Sequence, residues 1–212
     1  MTSVPSLSIR EEFANSLSHG IGLIFGIIGL PIPIALAAIN GNIPGLVGAS
    51  VFGFGFLMVF AFSTLYHAIS HPAIKKSLRV MDHVSIYFLI AGSYTPFLLV
   101  FMFNETGLTV LSVLWGAALI GVVFKIFATG KWNVVSTIMY LVMGWSVLFV
   151  PNEFFGSVST ECLILVATGG GLYTLGVVFY LWERIPYNHA IWHLFVLGGA
   201  ICHYVAVLFS VS

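Results

Sequence analysis

Residues 45–68 read GLVGASVFGFGFLMVFAFSTLYHA, an apolar run without a single Asp, Glu, Lys or Arg. A helix of about 20 apolar residues crosses the hydrocarbon core of a bilayer, and this run is long enough to do so. Its apolar residues are continuous and do not alternate, which favours a membrane helix over a strand of a membrane barrel. The run therefore predicts a transmembrane helix that ends in polar residues, Ser63 and His67.

The rest of the chain has the same character. Of its 212 residues 59% are hydrophobic and 7% are charged, and the mean hydropathy is +1.08; a soluble domain usually carries about 25% charged residues. Seven apolar runs are long enough to span a membrane, near 20–39, 45–68, 80–103, 107–128, 132–150, 158–182 and 188–210. Because the loops are short, we expect a single domain over residues 1–212, an all-α integral membrane protein with a seven-transmembrane-helix bundle.

The basic residues predict the orientation of the bundle. All seven fall at span ends or in loops on one side of the predicted bundle: Arg10, Lys75, Lys76, Arg79, Lys125, Lys131 and Arg184. The opposite side carries Glu105, Glu153 and Glu161 and no basic residue. By the positive-inside rule the N-terminus is expected in the cytoplasm and the C-terminus outside. The net charge of zero offers no basic surface for nucleic acid.

Polar residues gather at the cytoplasmic level of this predicted bundle. His189 and His193 are four residues apart in the last span, so they share one helix face, and Ser63 and His67 are spaced in the same way. Asp82 begins the third span. Glu12, Asn15 and His19 follow one stripe of the approach to the first span.

Three neutral imidazoles from two helices match a catalytic zinc site, which uses three protein ligands and leaves one position open. We therefore predict that His67, His189 and His193 bind Zn²⁺, since imidazole suits zinc and no thiolate is placed to compete. A histidine pair at a helix end can also be a pair of side chains that reach for the interface without binding a metal.

Other polar residues at this level receive supporting roles. Asp82 is the expected carboxylate beside the metal, where it would hold or deprotonate a water molecule, and Ser63 could hydrogen-bond that water or a substrate carbonyl. The remaining histidines are expected not to bind the metal: His19, His71, His83 and His203. Of these, His19 is a candidate hydrogen-bond partner of a ligand.

Four ordered motifs give the chain a family resemblance. E-x2-N-x3-H at 12–19, S-x3-H at 63–67, R-x2-D-H at 79–83 and H-x3-H at 189–193 resemble motifs of the progestin and adipoQ receptor (adiponectin receptor-like) family. The resemblance is closer to its bacterial hemolysin III branch and covers the full chain.

The resemblance implies a zinc ion in the cytoplasmic half of the bundle, held by His67, His189 and His193. Asp82 would contact the metal through water beside Ser63. The remaining motif residues accompany this site: Glu12, Asn15, His19, Arg79 and His83. The family resembles alkaline ceramidases, and some eukaryotic members look like lipid-amide hydrolases. The bacterial branch implies a multi-pass protein of the bacterial cell membrane.

Three functions remain open from the sequence. The first is a zinc-dependent hydrolase of an amide or ester in a membrane lipid, which would enter the bundle laterally. The second is a receptor-like sensor or regulator of membrane homeostasis with structural zinc. The third is a pore-forming cytolysin, although the outer half of the predicted bundle is nearly all apolar apart from His203.

Overall fold

The computed structural model describes residues 7–212; residues 1–6 of the single domain expected over 1–212 lie outside this range. The described residues form helices and no strand. The helices are α1 (Ile9–Gly29), α2 (Pro31–Ile39), α3 (Ile43–Ala68), α4 (Pro72–Phe101), α5 (Glu105–Ala128), α6 (Asn133–Gly144), α7 (Asn152–Ser157), α8 (Thr160–Leu181) and α9 (Asn188–Val211), with a 3-10 helix at Trp145–Phe149.

Six segments of residues 7–212 are long and apolar enough to cross a membrane. They are Ile9–Ile39 (α1 with α2), α3, α4, α5, α8 and α9. The expected all-α membrane protein is confirmed at this level. The fifth span expected at 132–150 is represented by a shorter apolar segment, Asn133–Phe149.

The first helix begins at Ile9, and not near residue 20 as the hydropathy predicts. Ser8 caps it, because its hydroxyl accepts the Glu11 backbone N–H while the Glu11 carboxylate accepts the Ser8 backbone N–H. The expectation that Arg10 precedes the first helix is therefore wrong, since Arg10 lies in its first turn. Hydropathy missed this part of α1 because it is rich in polar residues, of which Asn15, Ser18 and His19 are buried in the protein.

The helical region around the basic loop is also longer than predicted. α4 begins at Pro72, so Lys75, Lys76 and Arg79 lie on a helix and not in a loop. Proline at the first position supports this start, because it has no N–H to leave unpaired there. Lys125 lies in the last turn of α5 and so flanks the following turn as expected, but its side chain is buried.

A side chain from α4 shortens α6. The Tyr94 hydroxyl donates to the Gly144 carbonyl at 2.6 Å and accepts the Val147 N–H at 2.9 Å. These bonds lie where the α-helix gives way to the 3-10 helix Trp145–Phe149, and a side chain inserted into the backbone ladder is a known cause of such a change. The predicted span over 132–150 is consequently not one regular α-helix.

Glycines bring α3 and α4 into backbone contact. A Cβ at Gly48 would lie 2.4 Å from the Pro96 Cα, and one at Gly55 would lie 2.7 Å from the Phe88 carbonyl oxygen. Small residues allow this close approach, which is typical of helix packing in membranes. α3 also packs against α1, while α9 contacts α1 and α8 and α6 contacts α4, α5 and α8.

The first helix shows how the protein meets its surroundings. Its buried residues include Asn15, Ser18 and His19. Its exposed residues include Phe13, Leu17, Ile21, Ile24 and Ile28. This inversion of the pattern of soluble helices places polar groups inside the bundle and apolar groups toward lipid.

Candidate metal centre

Three histidines meet where α3 ends and α9 begins. His67 lies in the last turn of α3, and His189 and His193 lie one turn apart at the start of α9. One nitrogen from each ring lies within 4.8 Å of the other two. Nitrogens that share one zinc ion at about 2.0–2.1 Å are at most about 4.2 Å apart, so the rings are close to ligand spacing. The structure thus brings together the three predicted ligands in an arrangement that can bind a metal ion.

A carboxylate on α1 fixes the orientation of His67. Glu12 Oε2 lies 2.6 Å from His67 Nδ1, and Glu12 Oε1 lies 2.9 Å from Lys75 Nζ. Because a carboxylate only accepts, we place the proton of His67 on Nδ1. The lone pair is then on Nε2, which is buried and has no hydrogen-bond partner in the described chain. This is the arrangement that orients histidine toward a metal in many proteins.

The backbone of α1 holds His193 in a similar way. His193 Nδ1 lies 3.1 Å from the Asn15 carbonyl oxygen and 3.1 Å from Ser18 Oγ, while the Ser18 hydroxyl donates to the same carbonyl at 2.9 Å. Since the carbonyl only accepts, Nδ1 carries the proton and Nε2 carries the lone pair. Both buried histidines therefore present Nε2 as the free nitrogen.

His19 lies against the three histidines without joining the group whose nitrogens lie within 4.8 Å. Its ring stacks on His193 with centroids 3.6 Å apart, and its edge meets Phe60. Both of its nitrogens are buried and lack a hydrogen-bond partner within residues 7–212. That His19 is not a ligand stays a prediction, and its contact with His193 is by stacking and not by the expected hydrogen bond.

Asp82 and Ser63 occupy different positions around the histidines. Asp82 lines the same cavity as His189 and His193, and its Oδ2 lies 3.6 Å from His83 Nδ1. Ser63 lies one helical turn before His67 and is fully buried. Its hydroxyl has no hydrogen-bond partner in the part of the chain that the structure describes. Both side chains retain the capacity to bond another group.

The other two residues of the R-x2-D-H motif make contacts on α4 and α5, and His83 also lines the cavity of His189. His83 Nδ1 donates to the Arg79 carbonyl at 2.8 Å, which holds its ring against α4. The Arg79 guanidinium packs on Gly130 between α5 and α6, where a Cβ would lie 3.1 Å from Nη1. Arg79 and His83 are therefore placed to stabilise the helix that carries Asp82.

A cavity of about 340 Å³ opens beside the histidines and runs between α4, α6, α8 and α9. His189, His193, His19 and Asp82 line one part of it. Most of its remaining wall is apolar, and the lining includes Phe97, Leu148, Phe154, Val158 and Leu163. A cavity of this size and lining suits an apolar ligand with a few polar groups.

Sequence reasoning missed several residues at this site. Ser18 escaped notice because serine is common in helices, although it directly precedes His19. Ser136 and Tyr140 line the cavity from α6 but carry no motif. Lys125 was expected only to flank a turn, yet a lysine within an apolar run is itself a signal, because charges inside membranes are costly.

The family of the chain follows from comparison with known sequences. A family model described as haemolysin-III related matches residues 7–204. The chain belongs to this family. This confirms the resemblance inferred from the four motifs.

Curated relatives of this haemolysin-III-related chain come from bacteria and animals. It is 41% identical to Hemolysin-3 of Bacillus cereus over 203 residues, which cover 96% of this chain and 93% of the relative. It is 43% identical to the Hemolysin-3 homolog of Bacillus subtilis (strain 168) over 202 residues, or 95% of each chain. Human monocyte to macrophage differentiation factor is 32% identical over 205 residues, which cover 93% of this chain and 83% of the relative.

Proposed function

We propose that this haemolysin-III-related protein binds zinc through His67, His189 and His193 and hydrolyses an amide or ester bond of a membrane lipid, as a ceramidase does. The observation that supports this most is the buried, unpartnered Nε2 of His67. The His67 ring centroid lies 5.2 Å from those of His189 and His193, which line an apolar cavity. A lone pair fixed in that position by Glu12 has little use without a metal ion, and the cavity offers room for a lipid chain.

The donor set favours zinc. Imidazole nitrogen is a good ligand for zinc, and three protein ligands leave a position for a reactant. Neither cysteine competes, because Cys162 Sγ bonds the Ala206 carbonyl away from the histidines and Cys202 does not line the cavity. A zinc ion held by the three rings would act as a Lewis acid toward a carbonyl group and would make water more acidic.

The residues of the chain would then have distinct catalytic roles. Asp82 would accept a proton from water and pass it to the leaving nitrogen or oxygen. The oxygen of that water would bond the acyl carbon while the C–N or C–O bond breaks, which gives a carboxylate and an amine or alcohol. The free Ser63 hydroxyl would donate a hydrogen bond to the substrate carbonyl.

We further propose seven spans with the N-terminus in the cytoplasm of a bacterial cell. The basic residues support this, because all of them fall at one end of an alternating helix order. The segment Asn133–Phe149 would be the fifth span: with its 3-10 turn it is about 28 Å long, close to the hydrocarbon thickness of about 30 Å. The metal site would then lie in the half of the membrane nearer the cytoplasm.

A structural role for the metal is the second candidate, and it has its own support. The Glu12 carboxylate joins α1 to His67 on α3 and to Lys75 on α4, while His193 bonds the α1 backbone from α9. A metal at this junction would stabilise four helices, as a receptor-like sensor or regulator of membrane homeostasis would require. The pore-forming cytolysin has less support, because the wall of the cavity is mostly apolar.

Lipid analysis of matched membranes separates these candidates. Wild-type and Asp82→Ala protein would be expressed in the same cells, purified for metal analysis, and compared by mass spectrometry of the extracted lipids. Hydrolysis predicts equal zinc content and a free fatty acid with its matching amine or alcohol only with wild-type protein. Identical lipid profiles with equal zinc would contradict the hydrolase and favour the structural role.

A further inference from the structure

Lys125 is the one Asp, Glu, Lys or Arg side chain of residues 7–212 that is fully buried, at 1% exposure. It lies in the last turn of α5 and lines the cavity that also contains His189 and Asp82. No carboxylate in the described chain forms an ion pair with it. The lysine side-chain hydrogen bonds of this range belong to Lys75. The ammonium group of Lys125 is therefore without a protein partner.

Contacts between α4 and α5 fix the level of Lys125. The Tyr87 ring packs on Gly121, where a Cβ would lie 2.2 Å from it. Because the two helices are antiparallel, Lys125, one turn after Gly121, is level with His83, one turn before Tyr87. The Tyr140 hydroxyl donates to the His83 carbonyl at 3.0 Å. The cavity thus has a polar wall, defined as Asp82, His83, Lys125, Ser136 and Tyr140.

The charges around Lys125 have a positive sum, because Lys125 and Arg79 face a single nearby carboxylate, Asp82, which forms no ion pair with Lys125. Glu12 is already paired with His67 and Lys75, and the closest titratable contact of Asp82 is His83 at 3.6 Å. Arg79, which packs on Gly130, adds a second positive charge to this side of the bundle. A buried ammonium without an ion-pair partner is costly, and buried charges in membrane proteins mark sites for ligands, ions or protons. An anion is the ligand that would lower this cost.

We propose that Lys125 binds the anionic headgroup, a carboxylate or a phosphate, of a single-chain lipid whose acyl chain occupies the cavity. A lysine ammonium binds both groups as a compact point charge with three donors. Lys125 is the free donor of this wall, because the Ser136 and Tyr140 hydroxyls donate to the Trp132 and His83 carbonyls. The apolar lining accepts the chain. This inference deepens the proposed function by naming the class of lipid in the same cavity, although binding requires no turnover.

Three probes of matched chain length test the site on purified, metal-loaded protein in a neutral detergent. They are oleate with a carboxylate, 1-oleoyl lysophosphatidate with a phosphate, and monoolein with no charge. Native mass spectrometry would measure each dissociation constant for wild type, Lys125→Met and Lys76→Met. Lys76 is the control because it is exposed on α4.

Wild type is expected to prefer at least one anionic probe over monoolein. Lys125→Met should weaken that probe about 10- to 100-fold, the usual effect of losing a hydrogen bond to a charged group. It should leave monoolein unchanged, and Lys76→Met should leave all three unchanged. The anionic probe that Lys125→Met weakens more identifies the headgroup as carboxylate or phosphate.

The proposal is overturned if wild type prefers neither anionic probe, or if Lys125→Met weakens oleate, lysophosphatidate and monoolein equally. Unchanged gel-filtration elution and metal content establish that Lys125→Met is folded, and Lys125→Arg should keep the anionic preference. Charge-dependent binding without lipid hydrolysis would refute the hydrolase while supporting this site. If wild type hydrolyses lipid but Lys125→Met binds the anionic probes as tightly as wild type, the hydrolase is supported and this site is refuted.

Discussion

Glu12 on α1 and His67 on α3 are 55 residues apart in the chain and are joined by a 2.6 Å contact between Oε2 and Nδ1. The other oxygen of Glu12 bonds Lys75 on α4. One carboxylate thereby links three helices and directs Nε2 of His67 toward the other two histidines. This contact gives a physical role to the first residue of the E-x2-N-x3-H motif.

Removing that carboxylate should weaken metal binding. We expect Glu12→Ala to lower zinc affinity about 10- to 100-fold, because the orientation and basicity of His67 would no longer be set. Competition with a fluorescent zinc chelator measures the change. Lys75→Met is the matched control, since it removes the other partner of Glu12 and leaves the contact with His67; it should change the affinity far less. Equal affinity in wild type and Glu12→Ala would refute this role.

The three-histidine site predicts a sharp difference between neighbouring histidines. His67→Ala and His193→Ala should each lose bound metal, as measured by inductively coupled plasma mass spectrometry on purified protein. His71→Ala should keep about one ion per chain, because His71 is exposed and its side chain makes no capping bond at the start of α4. Metal that survives in both cluster variants would place the ion elsewhere.

Asp82 is expected to act on the substrate and not on metal retention. If it is the general base, Asp82→Ala should reduce turnover by about 10²- to 10⁴-fold and leave the zinc content near that of wild type. The comparison uses the released fatty acid and the metal content of the same preparation. A parallel loss of metal and turnover would instead make Asp82 a structural residue.

The contact of α3 with α4 predicts a size limit at Gly48. Gly48→Ala would place a methyl group 2.4 Å from the Pro96 Cα, so the helices must separate. We expect a destabilisation of about 1–3 kcal/mol, as for other overpacked sites, seen as a lower midpoint in thermal unfolding followed by tryptophan fluorescence. The control is Gly116→Ala on α5, where a Cβ meets nothing within 4 Å. There the midpoint should stay level or rise.

The proposed topology is tested by reporters fused after Ser212. With seven spans and a cytoplasmic N-terminus, alkaline phosphatase fused there should be active and a fused green fluorescent protein should be dark. Six spans, with Asn133–Phe149 remaining on one side, would reverse both signals. Fusions after Lys131 serve as a control for the orientation of the first four spans, and should give the cytoplasmic pattern.

The helix-period spacing in the sequence anticipated much of the site. The pairs Ser63 with His67 and His189 with His193 lie on shared faces, and the stripe Glu12 to His19 does meet the histidines. These relations depend only on the geometry of one turn, which a sequence displays directly. The all-helical membrane class followed from the scarcity of charged residues and from the continuous apolar runs, which the sequence also shows directly.

Contacts between different helices could not be predicted from the sequence. Hydropathy placed the start of the first helix near residue 20, because it cannot distinguish polar residues that face the protein from polar residues in a loop. It also did not reveal that Lys125 is buried, since the cavity that this side chain lines is built mainly by other helices. The contact of Ser18 with His193, 175 residues away, has no local signal at all.

Tyr94 shows that the length of one helical segment can depend on a side chain from another helix. A five-residue 3-10 turn rises about 2.5 Å more than the same residues in an α-helix, and the phenol of α4 stabilises that turn by bonding Gly144 and Val147. The extent of Asn133–Phe149 along the bundle therefore depends on a side chain encoded about forty residues earlier. Loss of that single oxygen would let the segment contract, and the fit between protein and bilayer thickness would change with it.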